Sequence, residues 1–317
     1  MDRLFLSSLS SFLFEEPCVL RRRNAPISSL TSIRIGGTAA LALSPREGGC
    51  LIRLLDFLSR RTVRYRVIGN GTNLIGPDAG YDGVLVLTGG VDRLSVVDST
   101  LIAGAGVPLG RAIRRAMEAG LSGLEELYGV PGTVGGALYM NAGAFGRAVS
   151  DRLKHAALYC PATGEVTVRT PASLGFGYRT SVIRTEGLIV LSAAFSLIPD
   201  DPVKIAERMR EVTEKRRATQ PPGQPSAGSV FRRPTPDVPV GRLIAEAGCA
   251  GMTEGGAAVS TLHAGFIVNL GGATEADFRR LSERVRERVE SRFGITLSPE
   301  IEYLSDLGAY QSYGANI

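Results

Sequence analysis

Apolar residues recur at helical spacing through Pro45–Arg60, where Leu51, Leu54, Leu55 and Leu58 share one face, and this predicts an amphipathic helix. The pattern then switches to alternation across Val63–Ile68, a strand that runs directly into Gly69-Asn70-Gly71-Thr72-Asn73. Further strands are predicted at Val84–Leu87 and Leu94–Ala103. Gly104-Ala105-Gly106 turns into a helix that Pro108 can open and Gly120 can cap. Ala156–Phe195 reads as short strands joined by turns. Asp200-Asp201-Pro202 starts a charged helix to about Ala218, and Gln220–Pro225 stops it, because that run cannot be regular structure. Beyond it come a helix at Val240–Ala247, a strand at Gly265–Asn269, and a helix capped by Thr274 with Asp277 three residues on. Two strands are expected at Ile295–Leu297 and Ile301–Leu304. The first residues, MDRLFLSSLSSFLFEEP, predict an amphipathic leading helix; serines break the apolar run as a signal peptide would not allow. The elements make an α+β chain with a domain boundary near 200–225.

Length and composition narrow the class. At 317 residues the chain has room for two or three domains and can fold without a disulfide or structural metal. Its 39 glycines are about 12% of the chain, against roughly 7% in average usage. The excess is clustered, which marks places where backbone turns sharply or approaches something closely. A net charge of +5 could suit nucleic acid, but the basic residues alternate with acids along Arg279–Arg292 and there is no Trp. Anionic small molecules are the better match, with no nucleic-acid partner. No stretch approaches the ~20 apolar residues of a membrane span, so a cytoplasmic chain is expected. Cys18, Cys50, Cys160 and Cys249 lie far apart, and with only His155 and His263 beside them the usual metal-ligand spacings are missing. Four buried free thiols and no metal are the expectation.

The glycine clusters are unequal as candidates. Gly69–Asn73 suits backbone amides turned toward a phosphate, although a plain turn would explain it as well. Gly104-Ala105-Gly106 lacks the G-x-G-x-x-G spacing of a dinucleotide fold and is read as a tight turn. The run 129–146 is dense in Gly and Ala yet carries Val130, Val134, Leu138, Tyr139 and Met140, which favours backbone lying against a large flat ligand over a linker. Ser229 has no G-x-S-x-G elbow around it, so a hydrolase ranks low. Arg179 and Glu300, taken singly, would be ordinary ion-pair residues.

Nine segments, in order, resemble the UDP-N-acetylenolpyruvoylglucosamine reductase (MurB) family. They are Thr31–Gly37, Ile68–Leu74, Gly120–Glu125, Gly129–Ala137, Met140–Gly146, Gly177–Ser181, Gly228–Phe231, His263–Asn269 and Pro299-Glu300. The likeness is to the smaller type of the family, which lacks an inserted loop. Tyr128 stands where a small residue is common.

The resemblance implies an FAD-binding fold of the vanillyl-alcohol oxidase (PCMH) type. It divides the chain into a leading segment (1–28), an FAD-binding domain (29–200, as subdomains of about 29–72 and 73–200) and a C-terminal α+β substrate domain (201–317). The last strands would return to the first subdomain. It implies noncovalent FAD held by Arg34, Gly69, Asn70, Gly71, Thr72, Asn73, Leu74, Gly132, Thr133, Gly135, Gly136 and Gly143. NADPH would be the electron donor and a UDP-sugar enolpyruvyl ether the acceptor, with no obligate protein partner. Arg179 and Glu300 would stabilise charge on the enolpyruvyl carboxylate, and Ser229 would protonate its α-carbon. Tyr178, Arg232, Arg233 and His263 would contact substrate. Two rivals are an oxidase of the same fold acting on a sugar or alcohol and a silent nucleotide-binding module. Covalent attachment of flavin would need a His or Cys near the phosphate loop, and none lies between Cys50 and His155.

Overall fold

A computed structural model describes residues 3–308 apart from Thr62 and Pro236. Among the described residues the three larger sheets, each with its own helices, build three packed layers.

The first layer holds the strands Val19–Pro26, Thr38–Pro45, Tyr81–Leu87 and Tyr65–Ile68, in that order across the sheet. Only the first pairing is antiparallel. Helix α1 (Arg3–Glu15) is the predicted leading helix, and α2 (Gly48–Ser59) is the predicted leucine-faced one. Leu51, Leu54, Leu55 and Leu58 of α2 are fully buried and pack with Leu41, Leu43, Val84 and Val86 of the sheet. Pro45 ends a strand rather than opening this helix.

The second layer is a five-stranded antiparallel sheet containing Leu153–Tyr159, Ile189–Ser196 and Thr100–Gly104. The expected single strand at 94–103 is a hairpin, because Asp98 takes a left-handed conformation (φ 50°) between Leu94–Val97 and Thr100–Gly104. Helix α3 (Leu109–Glu118) follows Pro108 and ends before Gly120, which turns with φ 67°. Inside the glycine-rich run sits an unexpected short helix, α4 (Val134–Tyr139), capped by the Thr133 hydroxyl, which accepts from the Gly136 N–H at 3.2 Å. Its apolar Val134 and Leu138 are fully buried, and this tertiary gain outweighs the poor helix propensity of Gly135-Gly136. The one-turn α5 (Val182–Thr185) and the long α6 (Pro202–Thr219), capped by Asp201, complete the layer. Tyr128 turns away from the glycine-rich wall; its hydroxyl accepts from Arg114 Nη2 of α3 at 3.1 Å.

The third layer is an antiparallel sheet, Ser226–Ser229, Phe266–Asn269, Ala257–Val259 and Thr253–Glu254, with α7 (Val240–Glu246) and α8 (Glu275–Phe293). Thr274 and Asp277 form the predicted capping box of α8. The first layer also reaches this helix: Asp78 accepts from the Glu275 and Ala276 N–H groups at 2.7 and 3.1 Å. Asn269 Nδ2 donates to the Ile33 carbonyl at 3.0 Å, and Ile33, Ile35 and Ile75 share the core of the third sheet. Residues Ile295–Leu297 are not a strand. The chain instead crosses back, and Glu302-Tyr303 pairs in parallel with Leu74-Ile75.

The expectation of four free buried thiols needs correction. Cys18 and Cys50 are joined as a disulfide, with Cα atoms 6.4 Å apart, tying the start of the first sheet to α2. Glu16 lies beside the two sulfurs, which are already bonded to each other. Cys249 is free and buried, while Cys160 is free and only partly buried.

Candidate active site

The layers meet around a cavity of about 700 Å³. Its floor begins where the Tyr65–Ile68 strand ends: Gly69, Asn70, Gly71, Thr72, Asn73 and Leu74 all line it. Gly71 has φ 58° and a Cβ there would run into the Leu30 carbonyl, so the loop's path depends on glycine. Gly132, Thr133, Gly135, Gly136 and Gly143 form the facing wall. At Gly136 a Cβ would meet only Thr133 Oγ1, at 3.6 Å, so the missing methyl leaves open wall for a flat ligand. Arg216 of α6 also lines the cavity, and burial lowers its pKa. No carboxylate ion-pairs with it among the described residues, so it is a cation suited to an anionic ligand. A wall of glycine backbone, Asn and Thr side chains and an uncompensated arginine fits the pyrophosphate and ring system of FAD.

The chemical end of the cavity is assembled by the return of the chain. Glu300 N–H donates to the Val230 carbonyl at 2.8 Å and Arg232 N–H to that of Ser298 at 2.9 Å. This pairing sets the Ser229 strand alongside Glu300. Asn73 Nδ2 donates to the Glu300 carbonyl at 3.1 Å, so the glycine-rich loop holds the same strand from the other side. Arg179 enters from the Gly177–Thr180 turn with φ 55°, a conformation a non-glycine residue keeps only where its surroundings enforce it. Its Nε donates to Glu300 Oε1 at 2.6 Å and its Nη2 to the Gly143 carbonyl at 3.1 Å. Asn141 Nδ2 fixes the turn by donating to the Gly177 carbonyl at 2.9 Å.

Burial raises the Glu300 pKa, and the Arg179, Arg232 and Arg233 charges offset part of that rise. The net upward direction prolongs the protonated carboxyl to higher pH. Ser229 Oγ donates to the Phe231 carbonyl at 3.0 Å, so a turn of the hydroxyl is needed to offer its proton to the cavity. His263 Nδ1 accepts from the Gly265 N–H at 3.1 Å, which leaves the hydrogen of the neutral ring on Nε2. Burial lowers its pKa and keeps it neutral.

Of the residues expected from the sequence, Arg179, Ser229, Glu300, Tyr178, Arg233 and His263 all line the cavity. Two do not. Arg34 is exposed, and its backbone, at φ 60°, serves the junction with Asn269. Arg232 lies behind the wall, and its Nε is buried without a hydrogen-bond partner. Its charge still reaches Glu300. Sequence reasoning passed over Tyr139, Arg216 and Glu302, which also line the cavity. The spacing of Glu302 two residues after Glu300 was the one available signal.

Residues 39–169 match the model of an FAD binding domain, and residues 220–304 match the C-terminal domain of UDP-N-acetylenolpyruvoylglucosamine reductase. A reductase of that name from Carboxydothermus hydrogenoformans is 40% identical over 89% of this chain and 93% of its own length. One from Geobacter metallireducens is 40% identical over 90% of this chain and 94% of its own. The crystal structure of the Thermus caldophilus reductase (MurB) superposes with a TM-score of 0.76 at 35% identity, covering 90% of this chain and 98% of that one. Among the described residues no helix is long and apolar enough to cross a membrane. The fold is therefore the FAD-binding α+β type, and the chain belongs to the UDP-N-acetylenolpyruvoylglucosamine reductase family of FAD-dependent oxidoreductases.

Proposed function

We propose that this chain reduces UDP-N-acetylglucosamine enolpyruvate to UDP-N-acetylmuramate with NADPH, a cytoplasmic step in making peptidoglycan precursors. The observation that carries the reading is the pairing of Arg179 with Glu300 on the same cavity wall as Ser229. Residues 29–200 are assigned to FAD binding and 201–317 to substrate binding, with the last strand returning to the first subdomain.

FAD, when bound, supplies the transfer of a hydride equivalent from NADPH to the vinyl carbon of the substrate. Gly69–Leu74 and Arg216 would hold its pyrophosphate, and the Gly132–Gly143 wall would take its ring. Arg179 presents fixed positive charge to the enolpyruvyl carboxylate as negative charge builds there. Glu300, whose protonated form burial favours, donates a hydrogen bond to the same group when it carries its proton. Ser229 gives its proton to the α-carbon; a hydroxyl is a weak acid, so the step is driven by the far greater basicity of the substrate carbanion. The dry site keeps bulk water from supplying that proton, and the serine alkoxide regains a proton from solvent when the site opens. Tyr178, Arg233 and the Nε2–H of His263 face the sugar nucleotide.

The test is direct. Purified protein should be yellow, should release FAD on mild denaturation, and under anaerobic conditions should oxidise NADPH beyond one equivalent per flavin only when the enolpyruvyl sugar nucleotide is present. A flavin-free preparation that FAD cannot reconstitute overturns the reading.

A further inference from the structure

One half-buried carboxylate at the site has no part in the chemistry above. Glu302 stands two residues beyond Glu300, and its side chain is 13% exposed against 12% for Glu300, so the two are equally sheltered. Its Oε1 accepts from the Tyr139 hydroxyl at 3.1 Å and from Arg184 Nε at 2.9 Å. Glu302 N–H donates to the Asn73 carbonyl at 3.0 Å. Tyr139 ends α4, and its own carbonyl accepts from the Ser181 hydroxyl at 2.8 Å.

These contacts form a paired arrangement. The segment 179–184 supplies two arginines, and residues 300–302 supply two carboxylates, joined Arg179 to Glu300 and Arg184 to Glu302. Two like pairs so close in sequence could exchange partners, which would take the Glu300 carboxyl away from Arg179. Tyr139 breaks that symmetry. Its hydroxyl donates to the Glu302 carboxylate, 3.1 Å from Oε1 and 3.4 Å from Oε2, and so marks Glu302 as the partner of Arg184. Charge balance adds to this: without Arg184, Glu302 would be a bare anion beside Glu300 and a competitor for Arg179. The ladder of Glu302-Tyr303 with Leu74-Ile75 is two residues long, too short to fix side-chain placement by itself. Glu302 also borders a second cavity, of about 610 Å³, that Arg184 lines as well. The strand is therefore a thin partition that packing alone does not hold on that side.

We propose that Glu302, held by Arg184 and Tyr139, is a positioning residue that sets the Glu300 carboxyl against Arg179 for the enolpyruvyl step. This rests on the function proposed above, and the experiment separates the two. FAD-loaded enzyme is studied by rapid mixing, following flavin reduction by NADPH and then reoxidation by the enolpyruvyl sugar nucleotide over a range of pH. A second readout is the change in the flavin absorption spectrum when UDP-N-acetylmuramate is added to the oxidised enzyme. Glu302→Gln should slow reoxidation about tenfold or more, since small misplacements of reacting groups are costly. It should also displace the pH profile of that step and alter the product-induced spectrum, with flavin reduction within about twofold of wild type. Arg184→Lys should restore most of what Arg184→Met loses. If Glu302→Gln does not fold, Tyr139→Phe removes one hydroxyl and should slow reoxidation about threefold. Unchanged reoxidation, pH profile and spectrum in the folded variants overturn the inference, and so does equal slowing of both half-reactions. Wild-type enzyme that reduces with NADPH but is not reoxidised by the sugar nucleotide overturns the functional reading itself.

Discussion

Arg179 Nε donates to Glu300 Oε1 across 2.6 Å, yet burial wins over this ion pair and leaves the Glu300 carboxyl with a raised pKa. The protonated form is thus present at and somewhat above the ordinary carboxylate range, and it is lost as pH rises through the raised value. The stability linkage has the same sign: the contribution of a group with a raised folded pKa is full at low pH and disappears through that raised value. Reoxidation by the enolpyruvyl sugar nucleotide should therefore fall on the alkaline side in the wild type. Glu300→Gln, a neutral donor at every pH, should lose that particular limb while running about a hundredfold slower. Rapid-mixing rates over pH check this; an unaltered alkaline limb in the variant assigns the titration to another group.

Ser229 is poised differently, because its hydroxyl donates to the Phe231 carbonyl in the resting arrangement. Ser229→Ala removes the proposed proton source without opening the wall. Flavin reduction by NADPH should stay within about twofold, and the enolpyruvyl step should slow by about 10²–10⁴. Comparable losses in both half-reactions would make the serine a structural element instead.

Gly71 has φ 58° and the Leu30 carbonyl directly where a Cβ would go. Gly71→Ala should cost about 1–2 kcal/mol from the left-handed conformation alone, before the clash is counted. Because the same loop faces the cofactor cavity, FAD content should fall together with thermal stability. A variant with wild-type melting and full flavin would show that the loop can take another path.

The Cys18–Cys50 disulfide spans 32 positions, for which chain-entropy arguments give about 3–4 kcal/mol of stabilisation. Thiol titration of the denatured, unreduced protein should find two free cysteines, Cys160 and Cys249, and reduction should raise this to four. Reduced protein should melt at a lower temperature, with flavin binding kept, since neither Cys18 nor Cys50 lines the cavity. Four thiols before reduction would rule out the cross-link.

Much of this molecule was legible in its sequence where a local signal sufficed. The leucine face of α2 and the Thr274 and Asp277 capping box each depend on neighbours within a few residues. Helix α4 was hidden because Gly135-Gly136 lowers helix propensity, and only burial of Val134 and Leu138 reverses the balance. The Cys18–Cys50 bond joins elements that no spacing rule relates. Arg34 is an expected cofactor residue that does not line the cavity, and a match to a motif does not say whether backbone or side chain is being used. Its left-handed backbone belongs to a layer junction. Arg216 and Glu302 escaped for the opposite reason: each looks like a solvated charge until distant chain closes over it.

The parallel pairing of Glu302-Tyr303 with Leu74-Ile75 joins residues 228 positions apart in the chain. Loops of that length close late, after the local parts of each layer have formed. A polypeptide whose synthesis stops before residue 300 can therefore carry the whole glycine-rich cradle and still lack its final wall. Pairing of 302–303 with 74–75 and closure of the cavity become the same event, so a chain that stops short of it is left without a finished seat in which stray redox chemistry could run.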